Sequence, residues 1–449
     1  MIPAAELIER VLAQSAADGC VVLVTDTSEA TLRWANSSMT TNGVSTARQW
    51  SVMSVLDRSV GSVSSSSVDG ADISEVLRAS EDAARAAGPA RDAAPLIDGS
   101  GEPSDWGAPA AATDIGVFDR LAGELAVGFR GGDMLYGFAE HQLQTTWLGS
   151  STGLRRRFTQ PTGTVEVNAK RDGCSAWGGR STADFTDVEL PALLAELSTR
   201  LSWGQRRVEL PAGRYETLLP PSAVADLMIY LAWSMEGRGA QEGHTALSRA
   251  GGTRLGERLT QLPLTLVCDP TAAGLEYAPF VATAHSDDTV SVFDNGMDAG
   301  RVEWVRAGTV NALAYPRASA AEFGTPVAVP GDNLLLTGGS DASIADMVAT
   351  TERGLLLTCL WYIREVDPAT LLVTGLTRDG VYLVEDGQVT AEVNNFRFNE
   401  SPLDLLRRVS EVGATERTLP REWKDWFSRT AVAPMRIPDF HMSSVSEAR

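Results

Sequence analysis

A proline-studded stretch interrupts the chain after its first fifth, and no regular element can run through it. Pro89, Pro95, Pro103 and Pro109 stand within residues 89–113 among Ala, Gly, Ser and Asp. Each proline removes a backbone donor and fixes φ, so neither a helix nor an interior strand fits there. With few bulky apolar side chains to bury, the stretch cannot offset its ordering entropy, and it reads as a linker. It divides the 449 residues into an N-terminal unit, 1–88, and a remainder long enough for two further domains.

Each unit mixes helix and strand. In 1–88, Leu7, Ile8, Val11 and Leu12 recur on one face of a helix predicted from Pro3 to Ala17, and Gly19 ends it. Strands follow at Cys20–Val24, Thr31–Ala35 and Trp50–Val63. Asp72-Ile73-Ser74-Glu75 has the form of a capping box and opens a second helix that stops at Gly88-Pro89. A middle domain, 114–206, carries alternating segments at Met134–His141, Gln144–Leu148, Arg155–Thr159 and Thr164–Lys170. Gly149–Gly153 and Pro161-Thr162-Gly163 separate them, which predicts an antiparallel meander closed by a helix near 188–202. The C-terminal domain, 207–449, is mostly strand and turn. Its helices begin near Ser222 and Ser343, Leu355–Ile363 suits a buried strand, and Asp386-Gly387 sits at the turn of a hairpin over Val381–Val389. The fold class is therefore α+β: an N-terminal α/β unit, a meander, and a mostly antiparallel β domain of barrel- or sandwich-like form.

Charge narrows the partners. Against 58 Asp and Glu stand 38 Lys and Arg, a net charge of −20, and Lys170 and Lys424 are the only lysines. Phosphate neutralisation supplies the affinity of nucleic-acid binders, so neither nucleic acid nor an anionic membrane is an expected partner. Leu218–Met235 is the greasiest stretch, but Pro220, Pro221, Ser222 and Asp226 interrupt it, and it cannot face lipid. Pro3–Ala17 lacks the apolar core of a signal peptide. Cys20, Cys174, Cys268 and Cys359 form no C-x-x-C pair and read as buried, reduced thiols. The expected location is the cytoplasm.

The inventory of reactive residues is short. The histidines are His141, His244, His285 and His441, and no H-E-x-x-H occurs. Glu242-Gly243-His244 sets a carboxylate near an imidazole, and His285-Ser286-Asp287-Asp288 adds further donors. Loop polarity explains both, and nothing local fixes a shared metal geometry. No G-x-S-x-G elbow, phosphate loop or dinucleotide fingerprint is present, and Ser64–Ser67 is a polar strand end. Leu154-Arg155-Arg156-Arg157, the one dense basic cluster, reads as the exposed face of a strand rather than an acidic-peptide site.

Several segments, taken in order, resemble the TldD/PmbA family. Leu210-Pro211-Ala212-Gly213-Arg214-Tyr215-Glu216-Thr217-Leu218-Leu219-Pro220-Pro221 is similar to its strand–proline–helix entry. Gly251-Gly252-Thr253-Arg254-Leu255-Gly256 and Leu264-Thr265-Leu266-Val267-Cys268-Asp269-Pro270 resemble its next conserved-looking segment, with Cys268 where an Asp is common. Arg353-Gly354-Leu355-Leu356, Val366-Asp367-Pro368-Ala369-Thr370 and Thr377-Arg378-Asp379-Gly380 continue the pattern, and Ser150-Ser151-Thr152-Gly153 resembles the family's turn in the middle unit.

The resemblance implies two alternatives for function. The TldD branch resembles a zinc peptidase whose H-E-x-x-x-H stretch follows the proline entry, with a late Cys completing the site. Matching Met235-Glu236-Gly237 to that branch puts Met228, Ile229 and Trp233 at the three motif positions, and no thiol follows Cys359. Such side chains cannot hold zinc or activate water. The pattern is that of the TldE/PmbA branch, a metal-free partner of a TldD-type catalytic subunit. The resemblance implies a complex that degrades unfolded peptides or trims peptide precursors, with zinc in the partner subunit and none in this chain. On that reading no catalytic, cofactor-binding or metal-ligating residue is assigned here. Two other readings stay open: an independently active metallopeptidase homodimer using His244 and His285, and a non-hydrolytic module that captures peptides by strand addition. A label attached to the family, modulator of DNA gyrase, fits poorly with direct DNA contact at this charge. A homodimer of the lone chain is compatible with all of these. Trp34, Trp106, Trp423 and Trp426 are interface candidates, although core packing is the ordinary fate of tryptophan.

Overall fold

The structure is a computed structural model that describes residues 2–67 and 70–447. Its first half is built on one six-stranded antiparallel sheet, in the order β3-β2-β1-β4-β5-β6. The strands are β1 (Gly19–Ala35), β2 (Ser38–Leu56), β3 (Ser59–Ser65), β4 (Met134–Ser150), β5 (Arg155–Arg171) and β6 (Cys174–Thr182). Alternation along β1 decides which face is covered. Cys20, Val22, Val24, Ala30, Leu32 and Trp34 are buried beneath helices α1 (Ala4–Gln14), α2 (Gly70–Ala86), α3 (Asp119–Gly128) and α4 (Leu190–Trp203). On the opposite face Val21, Met53 and Leu148 meet Phe280, Val292 and Phe293 from the C-terminal half.

Three predicted features change. The Asp72 capping box does not start its helix, which begins at Gly70; residues 68 and 69 lie outside the described residues. Strands expected as separate pieces are continuous: β1, β4 and β5 each run 17 residues. Polar residues in their middles are held because neighbours continue on both sides, as β1 does between β2 and β4. Pro161 stays within β5 because β6 ends at the Gly163–Thr182 pair, so the strand is an edge where its missing N–H would point.

Residues 89–113 do not separate two bodies in the way the prolines suggest. Because β1 pairs with β4, residues on both sides of the stretch share one sheet. The stretch lies against that sheet: Trp106 is buried, Leu96 and Ile97 pack against Val21 and its neighbours, and Thr113 bonds Ser28. Its backbone is irregular, as proline demands, yet tertiary contacts order it.

Two large sheets dominate the C-terminal half, beside a two-stranded pair of Ser248–Arg249 with Gly252–Thr253. A six-stranded sheet contains Thr265–Cys268 and Asn333–Thr337, and a larger ten-stranded sheet contains Gly213–Leu219, Arg353–Leu357 and Met435–Val445. Both contribute to one core around helix α5 (Pro221–Trp233): Leu266 and Leu336 come from the first, Leu355 and Phe440 from the second. The sheets stay open, so the closed-barrel alternative is not adopted, and the class is α+β with mostly antiparallel sheets, the pairs of Asn333–Thr337 with Arg429–Val432 and of Arg353–Leu357 with Gly213–Leu219 being among the parallel exceptions. The expected Leu355–Ile363 strand divides into two, Arg353–Leu357 and Leu360–Asp367, which lie in different parts of the larger sheet. Asp386 and Gly387 both have positive φ, 49° and 78°, as a two-residue hairpin turn requires. Ser343 caps its helix reciprocally with Asp346.

Candidate functional site

Helix α5 stands at the centre of the C-terminal core and carries the three positions at which the resemblance expects metal ligands in the zinc-bearing branch. Pro221 occupies the first helical turn, where its missing donor is harmless, after the strand Gly213–Leu219. The helix is apolar nearly all round, as a helix enclosed on all sides must be. Met228 and Ile229 are buried, while Trp233 emerges at the end and is 41% exposed. Its indole meets Trp423 edge-on, with ring centroids 4.9 Å apart, and Tyr230 completes an aromatic cluster.

These side chains do not fit zinc. They offer one thioether, one alkyl group and one indole in place of imidazole, carboxylate or thiolate donors. Asp226, the one carboxyl group of α5, is committed elsewhere. Its carboxylate accepts the backbone N–H groups of Arg421 (3.2 Å) and Glu422 (2.9 Å), and its own carbonyl accepts from Trp423 Nε1 (2.9 Å). Burial pushes its pKa well above the usual carboxylate range, and the nearby Glu422 charge adds to this; the N–H donors pull the other way and are outweighed. Glu422 in turn accepts the N–H groups of Tyr362 and Ile363. Asp226 thus joins the helix to the segment 421–423.

The histidines are dispersed. His141 is buried: its Nε2–H donates to the Ala183 carbonyl (2.9 Å), so Nδ1 accepts from the Thr113 hydroxyl (2.6 Å). Burial lowers its pKa and keeps it neutral. His244 is exposed, 3.7 Å from Glu242, so the expected carboxylate–imidazole proximity is present. His285 sits in an exposed loop, where the neighbouring Asp287 accepts from Thr289 and Val290. His441 lies in the final strand. Among the described residues, no three of His, Cys, Asp and Glu approach closely enough to hold a metal ion.

Other expectations divide. All four cysteines are buried and free. Burial pushes the Cys20 and Cys268 thiols up to about 11, so neither is an ambient nucleophile. The arginine cluster is not the exposed face expected of it. Arg155 pairs with Glu9 through two contacts (2.7 and 2.8 Å), Arg156 with Asp298 (3.0 Å), and Arg157 lies over the Trp147 ring (5.1 Å). Arg155 ties the sheet to α1, Arg156 ties it to the C-terminal half, and Arg157 ties it to the 89–113 stretch through Asp105 and the Pro109 carbonyl. Trp34 and Trp106 are core residues, whereas Trp426 is 80% exposed.

One charged cluster has no local sequence signal. Arg421 stands over the rings of Trp361 (4.4 Å) and Trp177 (5.2 Å). Beneath it the buried Glu166 accepts from Trp177 Nε1 (2.8 Å) and pairs with Lys424 (2.9 Å). Burial opposes the charge on Lys424, but Glu166 and Asp425 hold its pKa above the usual lysine range. Thus one of the chain's two lysines fastens the 421–426 segment onto the first sheet. Alongside, Lys170, Arg378, Asp379 and Arg421 line a cavity of about 1120 Å³.

Comparison with known proteins agrees with this architecture. Over residues 212–444 the chain matches the model of the PmbA/TldA metallopeptidase C-terminal domain. The structure is similar to that of TldE from Thermococcus kodakarensis, with TM-score 0.77, 15% identity, and 98% of this chain and 99% of that one covered. A protein from Thermotoga maritima, solved as a suggested modulator of a DNA gyrase, aligns with TM-score 0.75, 15% identity, and 97% and 99% coverage. One from Bacteroides thetaiotaomicron, described in the same way, gives 0.76, 15%, and 98% coverage of both chains. No curated protein matches the sequence. At such identity the structural likeness speaks for the fold alone, while the matched domain spans more than half of the residues and contains the strand, the proline entry and α5. On that match, the chain belongs to the PmbA/TldD metallopeptidase family.

Proposed function

We propose that this chain is the metal-free, TldE-like subunit of a TldD/TldE-type zinc protease that degrades or trims unfolded peptides and peptide precursors in the cytoplasm. One observation carries the reading: α5 keeps its place behind the proline entry, while Met228, Ile229 and Trp233 stand at the three motif positions. The scaffold is retained and the donor set is not. In such a complex the partner supplies zinc and the activated water, and this chain supplies walls and contact surface. Access, rather than a side-chain pocket, then selects unfolded chains.

The test is co-expression of the tagged chain with a TldD-type chain bearing H-E-x-x-x-H. The expected result is co-purification, zinc in proportion to the partner, and cleavage of an unfolded peptide only when both chains are present. Stoichiometric zinc with turnover by this chain alone, or elution of the tagged chain without the partner, overturns the reading.

A further inference from the structure

The strand Arg429–Val432 begins where the two halves of the chain meet, and its first side chain reaches the first sheet. The Arg429 guanidinium donates from Nη2 to the Thr162 hydroxyl of β5. Among the described residues it forms no ion pair, and that hydroxyl is its only hydrogen-bond partner. Other arginines at this junction are matched: Arg156 faces Asp298, Arg417 faces Asp187 and Arg421 faces Glu166. Burial lowers the Arg429 pKa, and the charge of Asp332 offsets this only in part. Taking a cation out of water without a counter-charge is costly, so enclosed charges are ordinarily paired. Here a planar fork of N–H donors is left for an anion.

Arg429 opens on a cavity of about 250 Å³ between the halves. The charges in it are divided. Lys424 is already held by Glu166 and Asp425, so it does not supply the cavity with a second free cation. Opposite in sign to Arg429 stand Glu140, Asp332 and Asp425. Burial, and then the charges of Glu29 and Asp425, push Glu140 above the usual carboxylate range. A cation at Glu140 relieves that crowding, as an anion at Arg429 relieves the bare guanidinium.

We propose that this cavity binds the two charged ends of a short peptide, its terminal carboxylate on Arg429 and its terminal ammonium against Glu140. Register sets the length. Thr162 pairs with Gln142 and Thr164 with Glu140. Thr162, beneath Arg429, and Glu140 are therefore diagonal neighbours on one face, about 7–8 Å apart. An extended chain advances about 3.3–3.6 Å per residue, so two or three residues span that distance. A free amino acid carries both charges on one carbon and cannot reach both groups. A phosphate dianion brings more negative charge than one guanidinium neutralises, toward three carboxylates, whereas a zwitterion brings no excess. On the other diagonal, the Gln142 amide and the Thr164 hydroxyl offer donors and acceptors to the peptide group between the ends. Trp426, 80% exposed, stands at the rim, where an apolar side chain of the peptide would cover its indole. The inference is drawn from charge and register in this cavity and not from the metal-free reading of α5. Its test uses this chain alone, so the two fail separately.

Calorimetric titration of the full chain with trialanine should give saturable binding. Trialanine amide, which lacks the terminal carboxylate, should bind about tenfold more weakly or worse, the loss of a charge-assisted hydrogen bond. Arg429→Gln should weaken trialanine by a similar factor and leave the amide unchanged. Glu140→Gln should weaken trialanine and leave N-acetyl-trialanine unchanged, a selectivity that a misfolded variant could not show. Inorganic phosphate should not displace the peptide. No saturable binding of trialanine, an amide that binds as tightly as the acid, either variant binding trialanine as the wild type does, or displacement by phosphate would each overturn the proposal.

Discussion

Asp226 shows how one residue can be visible in a sequence and still unreadable there. In the sequence it is a charge that spoils a greasy run; in the fold it is a fully buried carboxyl group, closing the joint between α5 and residues 421–423. Replacing it with Asn turns an amide N–H₂ toward one of two backbone donors, which should cost about 1–3 kcal/mol in urea unfolding. Its raised pKa gives that cost a pH dependence. The folded protein binds a proton at Asp226 more tightly than the unfolded chain does, whose carboxyl titrates near about 3.9. The stability from this group is complete below that value and is lost as pH rises through the raised native pKa. The stability gap between wild type and Asp226→Asn should therefore narrow as pH rises above the ordinary carboxylate range. A gap that widens contradicts the burial account. Met228, Ile229 and Trp233 are the opposite case. Their types alone rule out zinc chemistry at those positions, and the structure adds only that two are enclosed and one emerges.

The range of the signal decides which elements a sequence foretells. Helices with a strong apolar face, such as α1 and α4, and turns set by local chemistry, such as Asp386-Gly387, follow from neighbours in sequence. The long strands do not, because polar residues in mid-strand are tolerated only where partners continue on each side. Gly61 lies on the same boundary. A Cβ there would stand 2.1 Å from the Ser80 carbonyl and 2.4 Å from the Ala84 nitrogen, both backbone atoms of α2. The helix sits against β3 because this residue has no side chain. Gly61→Ala should push α2 off the sheet and destabilise the protein by at least about 1–3 kcal/mol. Hydrogen exchange should quicken first in α2 and β3, and unchanged protection there would show that the helix can shift at little cost.

For the whole molecule, the 89–113 stretch is the instructive part. Its composition predicts a loose tether, whereas Trp106 is buried beneath the sheet, accepts a hydrogen bond from Trp147 Nε1 at its carbonyl (3.0 Å) and has Arg155 over its ring (5.8 Å). Native protein should therefore resist proteolysis between 89 and 113. Trp106→Ala should remove about 3–5 kcal/mol and admit cleavage there. Preferential cutting of the wild type in that stretch would mean that the packing is weaker than the geometry implies. The sequence by itself determined the α+β class and the side-chain types at Met228, Ile229 and Trp233, since both depend on residue type and spacing. Only the tertiary structure decided that two apparent units share one sheet, that the arginine cluster and Lys424 are internal fastenings, and that Arg429 forms no ion pair among the described residues. Those depend on which distant segments meet, and the free energy of such meetings lies in surfaces no local stretch of chain contains.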